Sequence, residues 1–246
     1  MITRSIHKRS ILLALLFIAV TLANVTAFSF SPMTVSIPPS GSASVMTYKV
    51  TNESNQQTAV SIKVTTRVID SSGKETNEPA DKLFLVFPAR VVLKPNSSQN
   101  VKVQYRGPAN ITSEQAYRVI AEQLPVDFSK STSSGVNILL TYVAALYVTP
   151  KNAAPKLAVT KAVGSQKEGI QGIELTVKNE GTQHALISNP IVKINNNGSD
   201  VELVGEAAQA LDGQNILALS ERVVFVPWAA AVIGASYTGS INVEFD

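Results

Sequence analysis

The stretch VNILLTYVAALYVT at residues 136–149, followed by Pro150, decides how this chain folds. Its even positions are Val136, Ile138, Leu140, Tyr142, Ala144, Leu146 and Val148, all apolar. Its odd positions mix Asn137, Thr141 and Thr149 with Leu139, Val143 and Ala145. Apolarity with a period of two belongs to a β-strand, whose alternate side chains share one face. A run of 14 residues exceeds the usual strand of roughly 3–10. One face is apolar throughout, which is more than a small sandwich needs for its own core. Two readings follow: a central strand covered on both faces, or a strand that outruns its sheet and offers alternate side chains to a partner.

The residues on either side sharpen the choice. Before the run, VDFSKSTSSG at 126–135 is rich in Ser and Thr and reads as a loop. A long apolar edge beside a loop is an aggregation site unless something covers it. After the run, TPKNAAP at 149–155 contains two prolines, which cannot donate to a ladder, and reads as a linker. It divides the chain into 28–149, a hinge at 150–154 and 155–246, each flanking part near the size of an immunoglobulin-like sandwich.

Period-two alternation recurs on both sides of the hinge: Met46, Tyr48, Val50; Val60, Ile62, Val64; Val101, Val103, Tyr105; Ile173, Leu175, Val177; Ile241, Val243, Phe245. Turn-forming clusters separate these runs at 38–41, 70–73, 94–96 and 195–198. A helical period is sustained only briefly, near 205–211, and no repeat at a fixed period is apparent. The expectation is an all-β chain of two immunoglobulin-like sandwiches joined by a short hinge, an angled, boomerang-like molecule with a cleft between its arms.

Of the 246 residues, 45% are hydrophobic and 16% charged, a balance that suits packed domains and not disorder. The net charge of +3 and the pI near 9.0 hint at nucleic acid, but the hint comes from the N-terminus. Residues 1–27 carry Arg4, Lys8 and Arg9, no acid, an apolar run of 10 residues at 11–20 and the small-x-small triplet Val25-Thr26-Ala27. That order is a secretory signal peptide, and the run is too short to span a bilayer. Removing it leaves 18 basic and 18 acidic residues, so the exported protein carries no basic footprint for nucleic acid.

Cysteine is absent and histidine occurs only at His7 and His184, which leaves no disulfides, thiolate sites, His triad or multi-His metal site. No nucleophile elbow, phosphate loop or metal spacing occurs, so the expectation is a binding protein without catalysis, cofactor or small-molecule substrate. His184 reads as a loop or strand-surface residue, and Trp228 with Phe225 and Val226 as core of the second half. Five Asn-x-Ser/Thr triplets, at Asn24, Asn52, Asn96, Asn110 and Asn197, read as chance in an Asn- and Ser-rich chain.

At this point the residues resemble a family. Phe84-Leu85-Val86-Phe87-Pro88-Ala89-Arg90-Val91-Val92-Leu93-Lys94-Pro95-Asn96, the strand from Val101 to Tyr105, Tyr117-Arg118-Val119 and the long run ending at Pro150 are similar to the N-terminal domain of PapD-like periplasmic pilus-assembly chaperones. Leu175-Thr176-Val177-Lys178-Asn179-Glu180-Gly181, with residues 185–189, is similar to the opening of their second domain. The resemblance implies a periplasmic chaperone that folds and caps pilus or fimbrial subunits and delivers them to an outer-membrane usher. Such subunits lack a strand, and the chaperone's long strand fills the gap, a form of β-augmentation. The residues it would place in the subunit groove are Val136, Ile138 and Leu140, with Tyr142 as a further candidate. The alternative is a secreted two-domain adhesion or structural surface protein, for which residues 28–33 are too few to supply a donor extension.

The chain departs from the family where well-studied members grip the subunit's terminal carboxylate with an Arg on the first strand and a Lys on the long strand. Here the first strand reads Met33-Thr34-Val35-Ser36-Ile37, and Ala145 stands where the Lys would fall. Tyr117-Arg118 and Val143-Ala144-Ala145-Leu146 look more like the divergent branches called archaic or alternative. A guanidinium can hold a carboxylate with two parallel hydrogen bonds, so the candidate anchors become Arg118 and Arg90.

Overall fold

The computed structural model describes residues 28–126, 138–196 and 198–245. The N-terminal leader, Val136 and most of the Ser/Thr-rich stretch lie outside the described residues. The chain runs through β1 (Phe28–Ser31), β2 (Thr34–Ile37), β3 (Val45–Asn52), β4 (Thr58–Thr66), β5 (Val68–Ile69), β6 (Glu75–Thr76), β7 (Phe84–Phe87), β8 (Arg90–Leu93), β9 (Ser97–Tyr105), β10 (Gln115–Gln123) and β11 (Thr141–Val148). It continues with β12 (Leu157–Lys167), β13 (Ile170–Asn179), β14 (Ala185–Asn196), β15 (Ser199–Leu203), β16 (Asn215–Ile216), β17 (Glu221–Pro227) and β18 (Ser236–Phe245). The brief helical signal near 205–211 appears as one 3₁₀ turn, Gly205–Ala208.

The first sandwich packs the sheet β1-β3-β9-β7 on the sheet β2-β11-β10-β4-β8. Alternation places the inward residues as expected: Tyr48, Val50, Val60, Ile62, Val64, Val101, Val103 and Tyr105 are all buried in one core. β1 and β2 belong to opposite sheets, and Pro32, which has no N–H to give a ladder, stands between them. The second sandwich follows one hydrogen-bonded path, β15-β14-β18-β12-β13-β17, with β16 beside β14. β12 and β18 share only the pairs Ala162↔Tyr237 and Val163↔Ser236, and this narrow link lets the two halves of the path face each other. Ile173, Leu175, Val177, Ile194 and Val226 fill the core between them, with Trp228 packed against its margin.

The two sandwiches share a device that periodicity does not reveal. Asn52, at the end of β3, donates from Nδ2 to the carbonyls of Gln56, Leu93 and Lys94, and its Oδ1 accepts from the Ser54 N–H. Asn179, at the end of β13, donates to the carbonyls of Gln183, Ile216 and Leu217, and its Oδ1 accepts from the N–H groups of Lys156 and Gly181. Both asparagines are fully buried, and each follows a buried valine two residues earlier (Val50, Val177) and precedes a glutamate (Glu53, Glu180). Each ties the end of its strand to two other segments of its own sandwich.

Candidate functional site

β11 pairs along its whole length with β10, from Gln115↔Val148 to Glu122↔Thr141. On its other side β2 runs parallel to it only from Ala145↔Thr34 to Val148↔Ile37. Ala145 donates its N–H to Met33 O (2.8 Å) and Thr149 to Ile37 O (2.9 Å), so the odd-numbered residues turn their backbone groups toward β2. At Thr141 and Val143 those outward groups find no backbone partner among the described residues, because β2 begins only opposite Ala145. Half of the strand is therefore an open edge. The strand is also shorter than its sequence pattern: β10 ends at Gln123, whose N–H to Leu140 O (2.9 Å) closes the ladder, and Ile138 and Leu139 have no strand to pair with among the described residues.

The even-numbered face points into the first core. Ala144, Leu146 and Val148 are buried there, and Leu140 and Tyr142 are half-buried against it. Tyr142 sets its ring edge-on to Phe28 at 4.9 Å and donates its hydroxyl to Phe28 O at 2.7 Å. Ile138, next on the same face, is 64% exposed. On the odd face Leu139 and Val143 are 45% and 44% exposed, whereas Ala145 and Tyr147 are buried where the sandwiches meet.

Arg118 lies directly across from Ala145 in the β10–β11 ladder. It donates from Nε to Glu75 Oε1 (2.8 Å) and from Nη2 to Glu75 Oε2 (2.6 Å), a fork on one carboxylate. Arg67 adds Nε to Glu75 Oε2 at 3.0 Å and passes Nη1 to the Tyr147 hydroxyl at 2.8 Å. The hydrogen bonds from Arg118, helped by the one from Arg67 and outweighing partial burial, lower the Glu75 carboxyl from 4.5 to about 2. The structure does not bring Arg90 to this place. Arg90 opens β8, is exposed, and pairs with Ser61 on β4, whereas Arg118 pairs with Thr65 of the same strand, about 13 Å along it. Sequence reasoning missed Arg67 and Glu75, since nothing in the sequence ties Glu75 to Arg118, 43 positions away, or Arg67 to Tyr147, 80 positions away.

The junction of the sandwiches continues from this cluster. Tyr147 is buried, accepts a second hydrogen bond from Asn215 Nδ2 (2.9 Å), and stacks its ring on His184 with centroids 3.9 Å apart. Glu114 Oε1 accepts from the His184 backbone N–H at 3.0 Å and lies 2.6 Å from its Nδ1, while Oε2 accepts from the Thr149 hydroxyl at 2.8 Å. His184 lies in the loop between β13 and β14, as expected, but that loop packs into the junction and its side chain is only 17% exposed; its position depends on a carboxylate 70 residues earlier. The turn between β5 and β6 also crosses the junction, with Ser71 O accepting from Val223 N–H at 2.8 Å.

A family model described as pili and flagellar-assembly chaperone, PapD N-terminal domain, matches residues 29–154. No curated protein matches the chain by sequence. Among solved structures the fold is similar to the class 5 fimbriae chaperone CfaA, with 15% identity, a TM-score of 0.56, and 89% of this chain and 99% of that one covered. It is also similar to the CsuC–CsuE chaperone–tip adhesion subunit pre-assembly complex of the archaic chaperone-usher Csu pili of Acinetobacter baumannii (15% identity, TM-score 0.52, 84% and 93% covered). The E. coli chaperone DraB matches at 16% identity and a TM-score of 0.51, with 90% and 97% covered. At such identities the likeness is one of fold.

Proposed function

Because the chain belongs to the family of pili and flagellar-assembly chaperones described by that N-terminal domain, we propose that it captures a pilus or fimbrial subunit on the open edge of β11 and hands it to an outer-membrane usher. The family is one of periplasmic chaperones, not of enzymes, which disfavours the reading as an adhesion or structural surface protein. Export through the leader at 1–27 is part of the proposal.

The observation that carries it is the unpaired edge at Thr141 and Val143, continued by the exposed Ile138 and Leu139. A subunit strand added here extends the five-stranded sheet and satisfies the outward backbone groups, which supplies affinity without regard to side chains. The subunit's apolar groove then takes the even-numbered side chains Val136, Ile138, Leu140 and Tyr142. Ile138 has the most surface to lose, and covering it contributes about 1–2 kcal/mol. Leu140 and Tyr142 contribute less, because part of each already rests on the home core. Of the two candidate anchors, Arg118 stands beside the end of the open edge, and Arg90 lies further along the same sheet face.

Co-expression with a candidate subunit tests the proposal. A soluble 1:1 complex is expected with the native chain. Ile138→Asp abolishes it and leaves the free protein folded, because the side chain is exposed in isolation and buried only in the complex. Undiminished complex formation by Ile138→Asp and Leu140→Asp would remove the donor-strand assignment.

A further inference from the structure

We propose that Tyr142 is a positioning residue for capture: its hydroxyl bond to Phe28 O ties the root of the projecting strand to β1 and sets the direction in which Leu140, Leu139 and Ile138 leave the sandwich. The proposal rests on the chaperone reading and adds to it a residue that acts mainly through its neighbours.

The root needs such a tie. β10 supports β11 along one edge, and its last rung is Gln123. That residue gives its backbone N–H to Leu140 O at 2.9 Å and takes the Leu140 N–H on its side-chain Oε1 at 3.4 Å. On the other edge β2 begins only at Ala145. Residues 138–143 are thus held by their backbone from one side, and a segment with few hydrogen bonds swings where a fully paired one does not. Tyr142 supplies the opposing hold. Its side chain spans the mouth of the sandwich, from the five-stranded sheet to β1 at the end of the four-stranded one, and donates its hydroxyl to Phe28 O at 2.7 Å. Among the described residues this is the one hydrogen bond that 138–143 make to anything but β10.

The far end of the tie is itself fixed. Phe28 is 2% exposed and pairs with Asn52 in the β1–β3 ladder. The amide of Asn52 is in turn fastened to the carbonyls of Leu93 and Lys94. The Phe28 ring meets the Tyr142 ring edge-on at 4.9 Å, which holds the hydroxyl in place from the apolar side as well. Because the hydroxyl is already satisfied within the chain, a subunit can cover the open rim of the Tyr142 ring where it stands, with no polar group left unpaired.

Ile138 lies four residues beyond Tyr142, about 13 Å of extended chain, so a small rotation at the root becomes a large displacement of the side chain with most to bury. An arm directed before binding has less freedom to lose when the subunit takes Ile138 and Leu140, and affinity rises through preorganisation. Losing one hydrogen bond at the root corresponds to a loss of about threefold or more in affinity.

Tyr142→Phe keeps both rings and deletes only the tie. In the free ¹⁵N-labelled variant the amide order parameters of Ile138, Leu139 and Leu140 are expected to fall, with those of β9 unchanged. For capture, native and variant chains carrying different affinity tags are co-expressed with a limiting amount of one candidate subunit. The native chain is expected to recover about threefold more of it or better. Val101→Ala controls for stability: it hollows the same core away from the tie, lowers the urea midpoint, and should leave the order parameters at 138–140 as they are. Unchanged order parameters in Tyr142→Phe, equal recovery of subunit by both chains, or an equal loosening of 138–140 in Val101→Ala each overturns the positioning role. Equal recovery while Ile138→Asp still abolishes the complex removes that role and leaves the chaperone reading standing. A loosened arm together with undiminished capture by Ile138→Asp removes the reading, and the role with it.

Discussion

Replacing Asn52 or Asn179 by alanine should unfold one sandwich well before the other. Asn179 is fully buried, and its amide holds the carbonyls of Ile216 (3.0 Å) and Leu217 (3.2 Å) while its Oδ1 takes the Gly181 N–H (3.0 Å). Gly181 itself lies so close to Ala154 O and Lys156 N that no Cβ fits, so this segment cannot shift to find new partners. Alanine leaves two or three buried backbone groups unpaired at about 1.5 kcal/mol each, or roughly 3–5 kcal/mol in all. That is a large share of the roughly 5–15 kcal/mol that stabilises a domain. With a urea m-value of about 1.5 kcal/mol/M the midpoint falls by about 2–3 M. Asn52, equally buried, holds Leu93 O (3.3 Å), Lys94 O (3.0 Å) and Ser54 N–H (3.1 Å), and it should cost a similar amount in the first sandwich. The single tryptophan, Trp228, packs on the second core, so its fluorescence reports that sandwich, while far-ultraviolet circular dichroism reports both. Asn179→Ala lowers the Trp228 midpoint, whereas Asn52→Ala splits the dichroism curve and moves the Trp228 midpoint less than half as far. A loss below about 1 kcal/mol for either variant, or equal Trp228 shifts for both, refutes the idea that each asparagine secures its own sandwich.

Glu75 makes stability depend on acidity. Its folded value of about 2 lies below 4.5, so its contribution is complete above pH 4.5 and is lost as the pH falls toward 2. At about 1.4 kcal/mol per unit this is up to roughly 3 kcal/mol. Urea midpoints of the native protein should drop more between pH 6 and pH 2.5 than those of Glu75→Gln. Tyr147→Phe deletes the hydroxyl shared by Arg67 and Asn215. It should cost about 1–2 kcal/mol and speed amide exchange at Val223, whose N–H crosses the junction to Ser71 O. Arg118→Ala should lower subunit affinity about tenfold, the worth of one charge-assisted hydrogen bond, and Arg90→Ala about threefold or less, both read by titration of the purified proteins.

Much of the architecture follows from residues near one another in the chain. Alternation along Tyr48–Val50, Val60–Val64, Val101–Tyr105 and Ile173–Val177 assigns both strand and inward face, because a pleated strand sends every second side chain to the same side wherever it ends up. The same rule puts Ala144, Leu146 and Val148 on one apolar face and marks 136–149 as carrying more apolar surface than a small sandwich needs. What it could not determine was which segment would lie alongside. That β2 starts opposite Ala145 and leaves Thr141 and Val143 unpaired depends on β1 and β2, more than 100 residues earlier. The partner of Arg118 and the stacking of His184 on Tyr147 are likewise set by contacts across the two sandwiches. A single side chain's period carries no trace of a distant counter-charge, since an arginine facing outward looks the same in the sequence whether water or Glu75 meets it. Local pattern therefore determines the strands and their faces, and tertiary packing decides which edge stays open and which charges are already taken.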